Sequence, residues 1–278
     1  MGRPLRAVCG GVVYHVLNRA NARARIFDDA ADYAAFLRIA AEAQARTPVD
    51  LMAYCVMPNH WHLVVRPRED GDLSRFTGWL TLTHTQRWHA HRHTTGNGHL
   101  YQGRFKSFPV QTDEHFLILC RYVERNPLRA GLVERAEQWP WSSLAAPHIG
   151  DAGKERPRLA DWPVQRPGDW FELVNRPQTP QEEDAIRASI VRGRPLGDPA
   201  WQKRTASELG LELTLRPRGR PRQERQKSLE IGSCLKSVPD TFYCFSCKRV
   251  SPGVGRGRWG SRGNLGGPDG STESRGVR

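Results

Sequence analysis

The chain has 278 residues, enough for one or two domains with a hydrophobic core. Its 42 Lys and Arg residues exceed its 29 Asp and Glu residues, and the formal net charge of +13 favours a polyanionic partner. No apolar run is long enough for a membrane span and the first residues lack the apolar segment of a signal peptide, so we expect a cytosolic protein without a membrane partner.

The first half of the chain alternates between strand-like and helix-like segments. β-Branched and aromatic residues predict strands over 10–18, 50–56, 61–66 and 103–111. Apolar residues at helical spacing predict helices from an N-cap at Asp28 or Asp29 to Arg46, over 72–93, and from Asp113 to the residue before Pro127. This order, β-α-β-β-α-β-α, predicts an α+β fold: a ferredoxin-like antiparallel sheet with the helices on one face.

Beyond residue 150 the apolar periodicity weakens, and Pro and Arg become frequent. Two helical patches remain, at 181–192 and 198–209, and they lead into RPRGRPRQER at 216–225, in which five of ten residues are Arg. We therefore predict a catalytic domain over 1–148, a basic, partly helical DNA-binding extension over 149–226, and a disordered tail over 227–278.

His60 and His62 stand out in the segment MPNHWHLVV. Residues two apart in a strand point to the same side, so the two imidazoles lie side by side and Trp61 faces away. Such a pair can bind one divalent cation. Considered alone, however, two histidines on an exposed strand face are more often solvated than ligating.

Tyr122 and Asn126 form a second candidate pair, because residues four apart share one face of a helix. Considered alone, Tyr122 could be a half-buried aromatic residue and Asn126 a helix C-cap. Together with the two histidines they suggest a chemical site. Two imidazoles and an amide leave a divalent ion open positions for phosphate oxygens, and a tyrosine beside it could attack the phosphorus.

Three segments of the chain resemble one protein family. They are MPNHWHLVV at 57–65, LYQGRFKSF at 100–108, and CRYVERNPLRAGLV at 120–133, which is followed by QWPWSSL at 138–144. These segments closely resemble the REP-associated tyrosine transposases, members of the single-tyrosine HUH (insertion-sequence-type) superfamily. The resemblance runs from near Val8 to Ser143 and resumes over 193–222.

The resemblance implies an HUH fold in which His60, His62 and Asn126 bind Mg²⁺ or Mn²⁺ and Tyr122 is the nucleophile on a mobile helix. It also implies a nucleoid-associated monomer or homodimer that transposes single-stranded DNA bearing hairpins, through a 5′-phosphotyrosine intermediate. Where the family usually has Asn-Arg-Gly, this chain has Asn18-Arg19-Ala20, so the loop after the first strand lacks glycine's freedom at positive φ, which bears on the geometry of the loop and not on the chemistry.

Basic residues flank the predicted site and recur in the extension. Each of them, considered singly, is more often a solvated surface charge than a DNA contact. The candidates for DNA binding are Arg19, Arg23, Arg25, Arg104, Lys106, Arg125, Arg129, Arg216, Arg218, Arg220 and Arg222.

Two other interpretations compete with a transposase. A non-catalytic, sequence-specific nucleic-acid-binding regulator derived from such a transposase would use the same basic surface, but it would not need the two histidines, Tyr122 and Asn126 together. A replication-initiator or relaxase-type HUH nickase commonly has paired tyrosines, whereas Tyr122 has no second tyrosine on its predicted helix. The sequence therefore favours the transposase.

Overall fold

Four antiparallel strands form the sheet on which the site is built. The computed structural model describes residues 8–145 and 156–216. Within them the strands pair in the order β2-β3-β1-β4, and all three pairings are antiparallel, as predicted for the sheet. The strands are β1 (Val13–Arg19), β2 (Val49–Met57), β3 (His60–Pro67) and β4 (Lys106–Val110).

Two long helices cover one face of this sheet. They are α1 (Ala30–Arg46) and α2 (Asp72–His91), close to the predicted bounds. The Asp29 carboxylate accepts hydrogen bonds from the backbone N–H groups of Ala31 and Asp32, so it caps α1 as predicted. Apolar side chains of both helices pack against the strand residues of this face, and this first core includes Tyr33, Phe36, Leu73, Phe76, Trp61 and Leu63.

The prediction that the helices lie on one face is wrong for the third helix. Helix α3 (Glu114–Arg129) packs on the opposite face, where Phe116, Leu119 and Val123 join Val64 and Phe108 in a second core. Six consecutive residues of β1 are buried. Because successive strand residues point to opposite faces, both faces of the sheet are packed against other elements. Helix α3 therefore forms a third layer.

Helix α3 also continues past Pro127, where we predicted its end. Pro127 lies in the last turn, so the missing N–H removes a single backbone hydrogen bond close to the helix terminus. The Pro127 carbonyl accepts from the N–H of Leu132. As a result Asn126 lies inside the helix, and the C-cap is Ala130.

Four shorter helices follow in the second described range. The predicted helical patches are confirmed as α5 (Pro180–Arg192) and α6 (Pro199–Glu208), flanked by α4 (Trp170–Asn175) and α7 (Glu212–Leu215). Side chains of this part join the second core, among them Trp170, Val174, Ile186 and Leu196. The predicted boundary after residue 148 stays a prediction, and the tail predicted over 227–278 lies outside the described residues.

None of the helices in the described ranges combines the length and the apolar character that crossing a membrane requires.

Candidate active site

The two histidines of β3 lie side by side, as the strand alternation predicts. The centroids of the His60 and His62 rings are 4.9 Å apart, and the ring planes are nearly perpendicular. Trp61 points to the other face, where its ring packs against Phe36. The sheet therefore separates the imidazole pair from the first core and turns it towards α3.

Each imidazole is oriented by a hydrogen bond at its Nδ1 atom. His60 Nδ1 lies 2.6 Å from Asn59 Oδ1, and His62 Nδ1 lies 2.9 Å from His15 Nε2. The other ring nitrogen of His62, Nε2, is buried and has no hydrogen-bond partner among the described residues. A buried nitrogen without a partner is costly unless a ligand uses it.

Burial keeps the two imidazoles neutral. Desolvation, together with the smaller effect of the positive charges of Arg19 and Arg129, lowers the pKa of His60 to about 3. Desolvation, together with the neighbouring histidines and the same arginines, holds the pKa of His62 well below its ordinary value. A neutral imidazole has the free electron pair that a metal ligand needs.

Tyr122 lies beside the histidines, on the inner face of α3. Its ring is 6.1 Å from the His62 ring, in an edge-to-face arrangement, and the residue is only 6% exposed. One turn later, the Asn126 side chain donates from Nδ2 to the Tyr122 carbonyl at 2.9 Å. The predicted shared face of Tyr122 and Asn126 is confirmed.

Arg129 connects the tyrosine with the asparagine. Its Nη2 atom donates to the Tyr122 hydroxyl oxygen at 3.2 Å and to Asn126 Oδ1 at 2.8 Å. Its guanidinium carbon lies 4.5 Å from the centre of the Tyr122 ring, a cation–π contact. The positively charged guanidinium of Arg129 is therefore hydrogen-bonded to the phenolic oxygen of Tyr122.

The chemistry of these side chains fits a divalent cation. Two neutral imidazoles and an amide oxygen form an acceptable ligand set, and the unpartnered Nε2 of His62 is a candidate donor atom. Asn126 Oδ1 accepts from Arg129, but an amide oxygen has a second lone pair. In the described part of the chain no three His, Cys, Asp or Glu side chains cluster as metal ligands, so a third protein ligand would have to be of another type, such as Asn126.

Arg19 is a predicted DNA-binding residue beside His60. It lies directly opposite His60 in the β1–β3 pairing, and its Nε atom is buried without a partner in the described ranges. Arg104 and Lys106 are exposed, the latter at the start of β4. The positively charged side chains of Arg19, Arg104 and Lys106 could each bind a phosphate group of DNA.

Other predicted DNA-binding residues have intramolecular partners. Arg125 donates to the carbonyls of Val174 and Asn175, and Arg25 donates to the carbonyl of Phe27. Two more candidates, Arg23 and Arg216, are exposed. Arg218, Arg220 and Arg222 lie outside the described residues.

The loop after β1 does not need glycine at Ala20. The backbone φ of Ala20 is −58°, which any residue can adopt. Positive φ angles fall instead on Ala22 and Arg23, at 51° and 58°. The departure from Asn-Arg-Gly is therefore compatible with the strand and the site next to it.

Two residues that touch the candidate ligands were not predicted. They are His15 and Asn59, which hold the Nδ1 atoms of the two histidines. Asn59 adjoins His60 in sequence and could have been inferred from the motif. His15 is 47 positions away from His62, and only the pairing of β1 with β3 brings the two together.

A family model and a curated protein each match part of this chain. The family model described as "Transposase IS200 like" matches residues 9–126. A curated Haemophilus influenzae protein described as a REP-associated tyrosine transposase is 25% identical over 105 residues, which is 35% of this chain. The chain spans 60% of the length of that relative.

A solved structure of a REP-associated tyrosine transposase bound to a REP hairpin is 19% identical and has a TM-score of 0.43. The match covers 60% of this chain and 98% of the other.

Proposed function

We propose that this chain, whose residues 9–126 match the family model described as "Transposase IS200 like", is a transposase that cuts and rejoins single-stranded DNA through a covalent phosphotyrosine intermediate. The observation that carries the proposal is the contact between Tyr122 and His62. The Tyr122 ring makes an edge-to-face contact with the His62 ring, and the Arg129 guanidinium donates a hydrogen bond to the Tyr122 hydroxyl oxygen. A tyrosine with a core-filling role alone would need neither neighbour.

Tyr122 is the proposed nucleophile. Its phenolic oxygen attacks the phosphorus, the phosphorus–O3′ bond breaks, and the 5′-phosphate becomes attached to the tyrosine. The phenolic proton is released, and the departing 3′ oxygen takes up a proton to become a hydroxyl. In the reverse reaction a different 3′-hydroxyl attacks the phosphotyrosine, and a new strand junction forms without an external energy source.

The proposed ligands of a divalent cation, Mg²⁺ or Mn²⁺, are His60, His62 and Asn126. When bound, such an ion polarises the phosphate oxygens and stabilises the charge that develops on them. The protein side chains have their own tasks. Asn59 and His15 hold the two imidazoles in place, and Arg129 donates to the phenolic oxygen, where it would stabilise negative charge as it forms.

Single-stranded DNA with hairpins is the proposed substrate, bound by a monomer or a homodimer. The net charge of +13 supports a polyanionic partner, because each phosphate that a cation neutralises releases counterions. Arg19 supports a DNA phosphate position close to His60, which it faces in the β1–β3 pairing. Its Nε is buried without a hydrogen-bond partner among the described residues, so this donor is free to bind a phosphate oxygen.

The test is the covalent intermediate itself. Labelled single-stranded hairpins from the flanks of the protein's own gene are incubated with the protein and either Mn²⁺ or EDTA, and adducts are resolved on a denaturing gel. We expect an adduct with wild type and Mn²⁺, and none with EDTA or with Tyr122→Phe. The matched control is Tyr33→Phe, which removes a buried hydroxyl without a hydrogen-bond partner in the described ranges and belongs to the first core.

An adduct that persists in Tyr122→Phe would refute this tyrosine as the nucleophile. No adduct with any flanking hairpin, despite tight and salt-sensitive DNA binding, would favour the non-catalytic regulator.

A further inference from the structure

His15 lies in the centre of the sheet, on the face that carries the histidine pair. Its direct partners in the pairing are Val64 of β3 and Phe108 of β4, and His62 is the diagonal neighbour beyond Val64. The His15 ring is 5.1 Å from the His62 ring and 4.8 Å from the Phe108 ring. Packed between these rings and fully buried, His15 has little freedom to turn.

The hydrogen bond between the two histidines allows two proton arrangements. A neutral imidazole has one N–H group and one nitrogen with a free electron pair. If His15 Nε2 donates, His62 must carry its own proton on Nε2, as a buried N–H that has no partner in the described residues. If His62 Nδ1 donates, its Nε2 offers a free electron pair to a ligand, and the buried N–H that has no partner in the described residues is then on His15 Nδ1.

We propose that His15 is a positioning residue of the metal site: its Nε2 accepts a hydrogen bond from His62 Nδ1–H and thereby directs the free electron pair of His62 Nε2 to a divalent cation. This inference rests on the proposed function, because it assigns a role towards the proposed ligand His62. Partners of this kind commonly set the tautomer and orientation of a ligating histidine.

A purely structural role explains His15 poorly. Its Nδ1 atom is buried without a partner in the described ranges, so an apolar side chain would fill the same space without leaving a polar atom unsatisfied. His84 provides the contrast. It is also buried, but it packs in the first core region and has its own partner, the Tyr101 hydroxyl at 2.7 Å.

The test measures Mn²⁺ binding to the full chain without DNA, by the electron paramagnetic resonance signal of free Mn²⁺. His15→Leu removes the acceptor, His15→Gln restores one through its carbonyl oxygen, and His84→Leu is the matched loss of a buried histidine elsewhere. We expect His15→Leu to weaken Mn²⁺ binding by about 10- to 100-fold. We expect His15→Gln to recover part of that loss and His84→Leu to bind Mn²⁺ like wild type, even though its melting temperature falls.

A second measurement uses the wild type and is independent of how the variants fold. In nitrogen-15 NMR spectra of the Mg²⁺-loaded protein, His62 should be protonated at Nδ1 and His15 should be unprotonated at Nε2. The opposite tautomers would overturn the inference, as would equal Mn²⁺ affinity of folded His15→Leu and wild type. Absence of Mn²⁺ binding by wild type would refute the metal site of the proposed function, and the role of His15 with it.

Discussion

At the scale of single residues, Arg129 is hydrogen-bonded to both candidate site residues of α3, Tyr122 and Asn126. Its guanidinium contacts the Tyr122 hydroxyl, the Tyr122 ring and Asn126 Oδ1, and its Nη1 lies 3.9 Å from a Glu183 carboxylate oxygen on α5. From the sequence we predicted only a DNA contact for this residue. In the proposed mechanism, its hydrogen bond to the phenolic oxygen gives Arg129 a second role, which charge and motif alone do not indicate.

Substitution of Arg129 by Gln should slow adduct formation. Hydrogen bonds to a charged group typically contribute about 1.5 to 3 kcal/mol, so loss of the charge on the phenolic oxygen should reduce the rate by about 10- to 100-fold. Single-turnover kinetics with the labelled hairpin would measure this rate. Arg87→Gln is the matched control, because Arg87 pairs with Glu42 between α1 and α2. An equal effect of both substitutions would point to bulk charge instead.

At the scale of elements, α3 is fastened to the segment that contains α4. Arg121 donates to the carbonyls of Arg176 and Pro177, and Arg125 donates to those of Val174 and Asn175. On another side of the helix the buried Glu124 carboxylate accepts from Trp170 Nε1 and from the Ser143 hydroxyl. Helix α3, which carries the proposed nucleophile, is thus bound both by Ser143, before residues 146–155, and by residues 170–177, after them.

Arg125→Met should loosen this attachment, since it keeps the aliphatic stem and removes both hydrogen bonds. Two carbonyls lose a charged donor, and we expect the free energy of unfolding to fall by about 1 to 3 kcal/mol. Urea denaturation would measure the change. The control, Arg187→Met, removes an exposed guanidinium that pairs with Glu183 and Asp184 within α5, and it should change stability by less than about 1 kcal/mol. Similar values for both variants would mean that the Arg125 bonds do not hold α3.

At the scale of the whole molecule, buried neutral histidines make stability depend on pH. Desolvation lowers the pKa of His84 from an ordinary 6.5 to about 3. Because the unfolded chain takes up a proton more readily than the folded chain, the stabilisation is present above pH 6.5 and is lost as the pH falls towards 3. His15 and His60 are shifted in the same direction, also to about 3.

The contribution of His84 can be isolated by His84→Gln, which removes the titrating group and keeps a polar side chain beside Tyr101. Between pH 7.5 and 5.0 we expect wild type to lose about 2 kcal/mol more stability than the variant, from the proton uptake of one histidine. Chemical denaturation at the two pH values measures both losses. Equal losses would show that His84 is protonated to the same extent in the folded and unfolded chains.

From the sequence alone we predicted the four strands, the helices α1, α2, α3, α5 and α6, the antiparallel ferredoxin-like arrangement and the residue pairs within one element. His60 with His62 and Tyr122 with Asn126 follow from the periods of strand and helix, which are local properties of the backbone. The layer occupied by α3, the meeting of Tyr122 with His62, and the contact of His15 with His62 were decided by the tertiary structure. They depend on strand register and on packing between residues far apart in the chain, and no local pattern encodes those distances.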